Sequence, residues 1–450
     1  MRKAALHDDP VIPAEAPDAA ATPASGGLSA VVRVKSLATG WRDPQNRDGM
    51  ALVLSSAVSS AVGLLYWVIA ARMFDPTTVG INTTVVSTLS LLGIIAQLNL
   101  GSAMLRFLPV AGRSARALVA ACYATGIGAA ILIGTGFALG AGWWVPQLQA
   151  AVGAGALVVY FALATPFSTV FTMQDYVLTA IKRATVVPIE NLGFALLKIV
   201  LLVLGGLLGF SGAIAGSWAL GTVVTVVAIT FYLSRVLPHQ PKAERSPSPV
   251  TLRSMRGFVA ADWVGTMCLT LVNFGLPLVV FARLGADAAA TFGVAWQLAY
   301  ALYLVPTGMG QSLVAHSAAD PSGTDAAYRK MLTKSLTLVV PAVLVLSAGS
   351  YLILLVFGRH YAETGSLLLA LSAFSAVPAC VNLAEIAAAR VRQHRIGQYG
   401  VTLALALIVL PAAWVLMPLW GLAGVGVALV GGQGVVAAVV LLRRLARRRA

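Results

Sequence analysis

The stretch VIAARMFDPTTVG, Val68–Gly80, is written a second time in the chain as VVFARLGADAAATFG, Val279–Gly293. In both, an apolar run ends on Ala-Arg and one more apolar residue. An aspartate and small residues follow, and a glycine opens the next apolar run. This is how a membrane helix ends at headgroup level, turns and starts again. The same corner written twice predicts two halves with the same orientation.

Composition sets the solvent in which those halves fold. Of 450 residues, 58% are hydrophobic and 10% are charged, and the mean hydropathy is +0.86. Soluble chains carry about 25% charged residues. So much apolar surface fits a polytopic membrane protein. The net charge of +15 sits in short clusters between apolar runs, which suits loops facing anionic lipid and the cytoplasm rather than nucleic acid. Cys122, Cys268 and Cys380 all lie inside apolar runs with no CxxC or Cys/His cluster. They predict neither a disulfide frame nor a metal site.

A helix needs about 20 apolar residues to cross a bilayer. Twelve candidates appear, at 50–73, 80–105, 117–140, 150–172, 186–208, 212–234, 257–281, 288–315, 331–356, 364–388, 398–417 and 420–442. With the N-terminus placed in the cytoplasm, the inside segments hold 27 Lys and Arg. The outside turns hold Arg72, Arg283 and Arg359, and Lys198 lies within a helix. That asymmetry predicts both termini in the cytoplasm. The linker PHQPKAERSPSPV, 238–250, is polar and proline-rich and divides the helices six and six. A second match, SGAIAGSWAL (211–220) with WGLAGVGVAL (420–429), falls at the corresponding place in each half.

The expected fold is an all-α polytopic membrane protein. Two six-helix lobes, 50–236 and 257–442, are joined by a cytoplasmic linker, 237–256. A pseudo-two-fold axis along the membrane normal relates them, with a central cavity between. Residues 1–49 (DDPVIPAEAPDAAATPASGG and its flanks) lack the apolar core of a signal peptide. They are expected to form a disordered cytoplasmic tail, and 443–450 a basic one.

GLLYWVIAARMFDPTTVG, LGSAMLRFLP (100–109) and QDYVLTAIKRATVVPIEN (174–191) together resemble the polysaccharide-exporting flippases. These belong to the multidrug/oligosaccharidyl-lipid/polysaccharide exporter superfamily. The likeness covers roughly 45–445 and rests on helix-end patterns rather than catalytic signatures. It implies two lobes in a V, alternating access, and a cargo of undecaprenyl-diphosphate-linked oligosaccharide. The cargo would move from the inner to the outer leaflet of the bacterial plasma membrane, for surface polysaccharide synthesis. By the same analogy a glycosyltransferase or a polysaccharide polymerase is an expected partner.

Such a cargo needs polar groups and cations at membrane depth, where a charge costs about 2.5–3.5 kcal/mol or more. Lys198 lies about twelve residues into its helix, roughly 18 Å along it. Asn191 precedes it on the same face, with Glu190 alongside. Two readings stand equal for Lys198: a cavity cation, or one member of an ion pair with a carboxylate on another helix. Asp262, Thr266 and Asn273 share one helix face, as do Asn382 and Glu385. Thr266 and Asn382 suit helix-to-helix hydrogen bonding. Asp262 and Glu385 sit near cytoplasmic ends, as does Asp175. Gln97 and Gln297 complete the cavity candidates.

Candidate diphosphate contacts are Lys198, Arg72, Arg106 and Arg283. For Arg72 and Arg283 a headgroup anchor, or a salt bridge to Asp75 and Asp287, is the stronger reading. Arg106 is also an ordinary inside cation. Pro166, Pro277, Pro306, Pro378 and Pro411 predict helix kinks.

No nucleotide-binding loop, zinc-protease motif or carboxylate cluster marks an enzyme, and no cofactor is expected. The coupling ion stays open. Rival readings are a drug/cation antiporter of the same superfamily, a peptidoglycan-precursor flippase, and a nontransporting scaffold. Helix 1 lacks the acidic residue of proton-coupled antiporters, since Met50–Phe74 contains none.

Overall fold

A computed structural model describes residues 61–237, 263–317, 323–392 and 395–449. Side chains at 113, 312, 315–317, 395–398 and 447–449 are left aside. The N-terminal tail, the linker, Asp262 and the first serines of helix 1 lie outside the described residues. The described residues belong to one compact unit, Ser55–Ala450. They are helical almost throughout and contain no strand.

The helices, in order, are α1 Ala61–Met73, α2 Pro76–Ala96, α3 Leu100–Phe107, α4 Ala115–Trp144 and α5 Pro146–Val152. Next come α6 Ala154–Ala180, α7 Val186–Leu207, α8 Ala213–Val236 and α9 Trp263–Leu284. The rest are α10 Ala286–Ser317, α11 Thr324–Ala348, α12 Ser350–Leu355, α13 Arg359–Phe374, α14 Ala376–Val391 and α15 Arg395–Arg449.

Among the described residues, ten segments are long and apolar enough to cross a membrane, against the twelve expected. Two features account for the difference. Only Ala61–Met73 of the first expected span is described, and it counts as a shorter apolar helix. The last two expected spans are joined in α15, which is non-helical at Gly421 (φ 56°, ψ −135°). A Cβ at Gly432 would stand 2.5 Å from Val409 Cγ2, and one at Gly424 2.5 Å from the Leu416 carbonyl oxygen. Residues on opposite sides of Gly421 are therefore in contact, and α15 is a hairpin. Only a residue tolerant of positive φ makes that reversal cheaply.

Packing sorts the helices into two sets. α2, α4, α6, α7 and α8 contact one another, and so do α9, α10, α11, α13, α14 and α15. The seam between the sets is mainly α2 against α9 and α10. Burial follows from this arrangement. In the most apolar window of each helix, 72% of residues are buried in α2 and 61% in α10, but 28% in α7 and 22% in α11. The seam helices are interior, and the peripheral ones leave most of their surface to lipid.

At the α1–α2 end the seam is close. A Cβ at Gly80 would fall 1.8 Å from the Ala286 carbonyl oxygen, so only glycine lets α2 and α10 cross there. At the opposite end Trp263 Nε1 of α9 donates to the Ile95 carbonyl of α2 at 3.2 Å.

The prolines act as expected in at least one helix. Pro277 has no N–H for the Asn273 carbonyl four residues back, and a π-turn, Leu271–Gly275, precedes it. The freed carbonyl accepts from Trp296 Nε1 of α10 at 2.9 Å.

Candidate functional site

The α7–α8 hairpin places Lys198 in the middle of α7, with α8 folded back beside it. A Cβ at Gly221 would come within 3.2 Å of Lys198 Cγ, so the lysine stem lies against α8 where that helix has no side chain. Phe194, one turn earlier on α7, shares its face. The ammonium sits over three rings: Trp218 of α8 at 3.5 Å, Phe194 at 4.4 Å and Tyr66 of α1 at 4.9 Å. Lys198 is 5% exposed.

The cage is held stiffly. Tyr66 donates to the Ile214 carbonyl at 3.0 Å and bonds Ser217 Oγ at 2.9 Å. Its ring meets Trp218 edge-on, as Phe194 does. Trp67 packs against both Tyr66 and Trp218.

An ion pair for Lys198 is not found. Among the described residues, no carboxylate lies within 4.0 Å of its Nζ. Magnitudes show how the charge is tolerated. A desolvated cation–π contact is worth about 2 kcal/mol, and three rings face a mid-membrane penalty of about 2.5–3.5 kcal/mol. Ring quadrupoles balance the ammonium without neutralising it.

The other candidates do not gather around Lys198. Glu190 is buried at the opposite end of α7, 5% exposed, and neither of its carboxylate oxygens has a hydrogen-bond partner. Asn191 is half-buried and Gln297 exposed. Gln97 is buried at the turn between α2 and α3, and Asn273 is half-buried in the π-turn of α9. Arg106 is exposed and approaches the Phe107 ring at 5.5 Å.

Glu385 belongs to an ionic cluster. Arg444 Nε donates to it at 2.5 Å, and Arg444 Nη1 reaches Asp325 at 3.0 Å. Arg392 pairs with Asp325 too, and the Arg444 guanidinium stacks 3.5 Å over the Tyr328 ring. Asn382 donates to the Gln433 carbonyl at 3.0 Å and to Gln433 Oε1 at 2.7 Å, which is the helix-to-helix role expected of it.

The repeated corner splits in use. Arg72 donates to the Val356 and Leu355 carbonyls at 3.0 and 2.9 Å, tying α1 to the end of α12 across the seam. Arg283 stacks over Trp414 of α15 at 4.7 Å, within its own set. Neither forms the expected salt bridge. Asp75 instead caps α2 by accepting from the Thr78 amide at 2.9 Å, and Asp287 pairs with His360 at 3.0 Å.

Two cavities stand out, of about 570 Å³ between α6 and α8 and about 300 Å³ where α4, α5, α9 and α15 meet. Neither is lined by a charged residue. Neither is lined by any of the polar candidates.

Tyr66, Trp218 and Arg444 were not singled out from sequence. Only Phe194 carried a usable signal, its four-residue spacing from Lys198. The rest reach the site from other helices.

No protein-family profile and no curated protein matches the sequence. Solved structures do match. A multidrug resistance MATE family transporter of the MOP superfamily, in an inward-facing conformation, aligns with TM-score 0.66 at 15% identity. It covers 86% of this chain and 94% of that one. The lipid II flippase MurJ, in an inward closed conformation, aligns with TM-score 0.58 at 14% identity, covering 88% and 87%. A MATE transporter of the MOP superfamily in an outward-facing conformation aligns with TM-score 0.58 at 15% identity, covering 88% and 95%. At these identities the likeness is one of fold.

Proposed function

We propose that this chain is a flippase that moves an anionic, lipid-linked oligosaccharide from the inner to the outer leaflet of a bacterial plasma membrane by alternating access. It would do so as twelve spans in two six-helix lobes of like orientation, with both termini cytoplasmic. Undecaprenyl-diphosphate-linked oligosaccharide, made for surface polysaccharide, is the cargo of choice. The observation that carries this reading is Lys198, a buried cation at the middle of α7 with rings and no carboxylate beside it. A site built to hold a cation without cancelling it suits a diphosphate. The shared fold with a lipid II flippase supports the cargo class.

Arg72 and Arg283 are secondary diphosphate contacts in this scheme, near the outer exit. Arg106 meets the headgroup on the inner side. Asn191, Asn273, Gln97, Gln297 and Asp262 are polar lining for the glycan.

A second reading is a cation-coupled multidrug antiporter, which the likeness to MATE transporters favours. Deletion in the native host separates the two. Inner-leaflet accumulation of lipid-linked oligosaccharide, with loss of a surface polysaccharide, is expected. Normal leaflet distribution with altered sensitivity to cationic drugs would replace the flippase with the antiporter.

A further inference from the structure

One group of ionisable side chains has no part in the cargo site. Glu190 on α7, Asp175 near the end of α6 and Tyr123 on α4 converge at the end of the N-terminal set opposite the α1–α2 turn. Asp175 lies within electrostatic reach of Glu190, and both lie within reach of Tyr123. Glu190 is 95% buried, and both its oxygens lack partners. The Tyr123 hydroxyl and Asp175 Oδ1 are also buried and unpartnered.

Four buried polar oxygens on three helices thus have no hydrogen-bond partner. No carboxylate pair stays ionised in such a place without a counter-charge, because the uncompensated burial of charge is too costly.

Among the described residues, none of the neighbouring cations pairs with either carboxylate. On α8, Arg235 is exposed and lies over Phe231, while Tyr232 is half-buried. In the α6–α7 turn, Lys182 and Arg183 are exposed. On α4, Arg116 is exposed and Cys122 buried, and on α6 Tyr176 is half-buried. Lys198 stands eight residues further along α7, about 12 Å away along the axis, in its aromatic cage. Neither carboxylate forms an ion pair among the described residues.

A metal ion is a poor fit. No group of three or more His, Cys, Asp or Glu is poised to hold one among the described residues, and hard cations want about six oxygens. A proton needs only one.

We propose that Glu190, with Asp175 and Tyr123, forms a proton-binding site in the N-terminal set of helices. The proton resides on the Glu190 carboxyl, where the neighbouring acid Asp175 disfavours a second charge. The site stands apart from the cargo, so it holds for a flippase or an antiporter alike.

The first test uses the unmutated full chain in lipid vesicles and no cargo. An apolar carbodiimide reacts with protonated carboxyls in apolar surroundings, and peptide mass mapping locates the adduct. The adduct is expected on Glu190, falling as the buffer is made alkaline, and absent from the exposed Glu363. No adduct on Glu190 at any pH overturns the site. So does protection by sodium chloride against choline chloride at constant pH, which would make sodium the occupant.

The second test is a pH jump read with an indicator dye. The unmutated protein is expected to release about one proton more per chain than Glu190→Gln. Equal release by the two proteins overturns the assignment.

Discussion

The two sets of helices place acidic residues at the same end and treat them in opposite ways. In the C-terminal set, Asp325 and Glu385 are matched by Arg392 and Arg444, with Tyr328 under the Arg444 guanidinium. Among the described residues of the N-terminal set, Asp175 and Glu190 form no ion pair, and neither does the buried Lys198. Both sets spend charge inside a membrane fold, yet only one neutralises it on the spot. An internally paired cluster fastens helices together. Separated, unpaired charges answer to something outside the protein. On the function proposed above, the C-terminal cluster is scaffold and the N-terminal charges are the working groups.

Replacing Lys198 by an apolar residue breaks this contrast most forcefully. Lys198→Met is expected to abolish transport, measured by restoration of surface polysaccharide in a deletion strain. Its unfolding temperature in detergent should stay level or rise, because a buried charge is gone while the three rings keep a side chain to pack against. Retained transport would return Lys198 to a structural role.

The carboxylates give the next largest difference. Glu385→Gln leaves Arg444 facing a weaker acceptor, with side chains only 16% and 15% exposed. A loss of about 2–3 kcal/mol is expected. Glu190→Gln changes the same atoms at the same end, but has no cation to strand, and should cost less than about 0.5 kcal/mol. Thermal unfolding of the two variants in one detergent checks the pair. Equal losses would mean that Glu190 has a partner within the fold.

Legibility in the sequence followed the range of each interaction. The repeated corners were visible because a membrane helix must end, turn and restart within a few residues. The hairpin in α15 was visible as two apolar spans, although the chain reverses at Gly421 rather than before Trp420. Lys198 stood out because charge inside an apolar run is costly. Its cage was mostly hidden, since Tyr66 and Trp218 approach from helices whose contacts no local pattern encodes. Arg444 was hidden differently. It looked like one more basic residue of an inner tail, and nothing local links it to Glu385, 59 positions earlier. Asp287 and Asp75 occupy matching places in the repeat, but the pattern did not say that one meets a histidine and the other caps a helix.

The repeated arginines offer a smaller effect and a sharper one. Arg72 reaches across the seam to two backbone carbonyls, and Arg283 stays within its set on Trp414. Arg72→Ala is expected to remove about 1 kcal/mol that holds the two sets together at the α1–α2 end. Spin labels on the α1–α2 turn and the start of α13 should then report a longer or broader distance distribution. Arg283→Ala should leave that distribution unchanged. A shift in both would mean that the corners act alike, as the sequence suggests.

The smallest effect belongs to the same corner and carries a sign. Asp75 accepts from the Thr78 amide at the start of α2. That bond and the Thr78 hydroxyl hold its carboxyl below the ordinary aspartate range. Because the folded-state value lies below the unfolded one, the cap is at full strength above about pH 4. It weakens as the pH falls through the folded-state value. Asp75 is exposed, so screening trims the usual worth of a cap to about 0.5 kcal/mol. Asp75→Ala should therefore lower the unfolding midpoint slightly at neutral pH, and the gap from the unmutated protein should close in acid. Asp75→Asn keeps an acceptor oxygen without the charge, so its small deficit should not depend on pH. A gap for Asp75→Ala that widens in acid would mean that the aspartate destabilises this corner when protonated, and that the Thr78 bond is not what holds it.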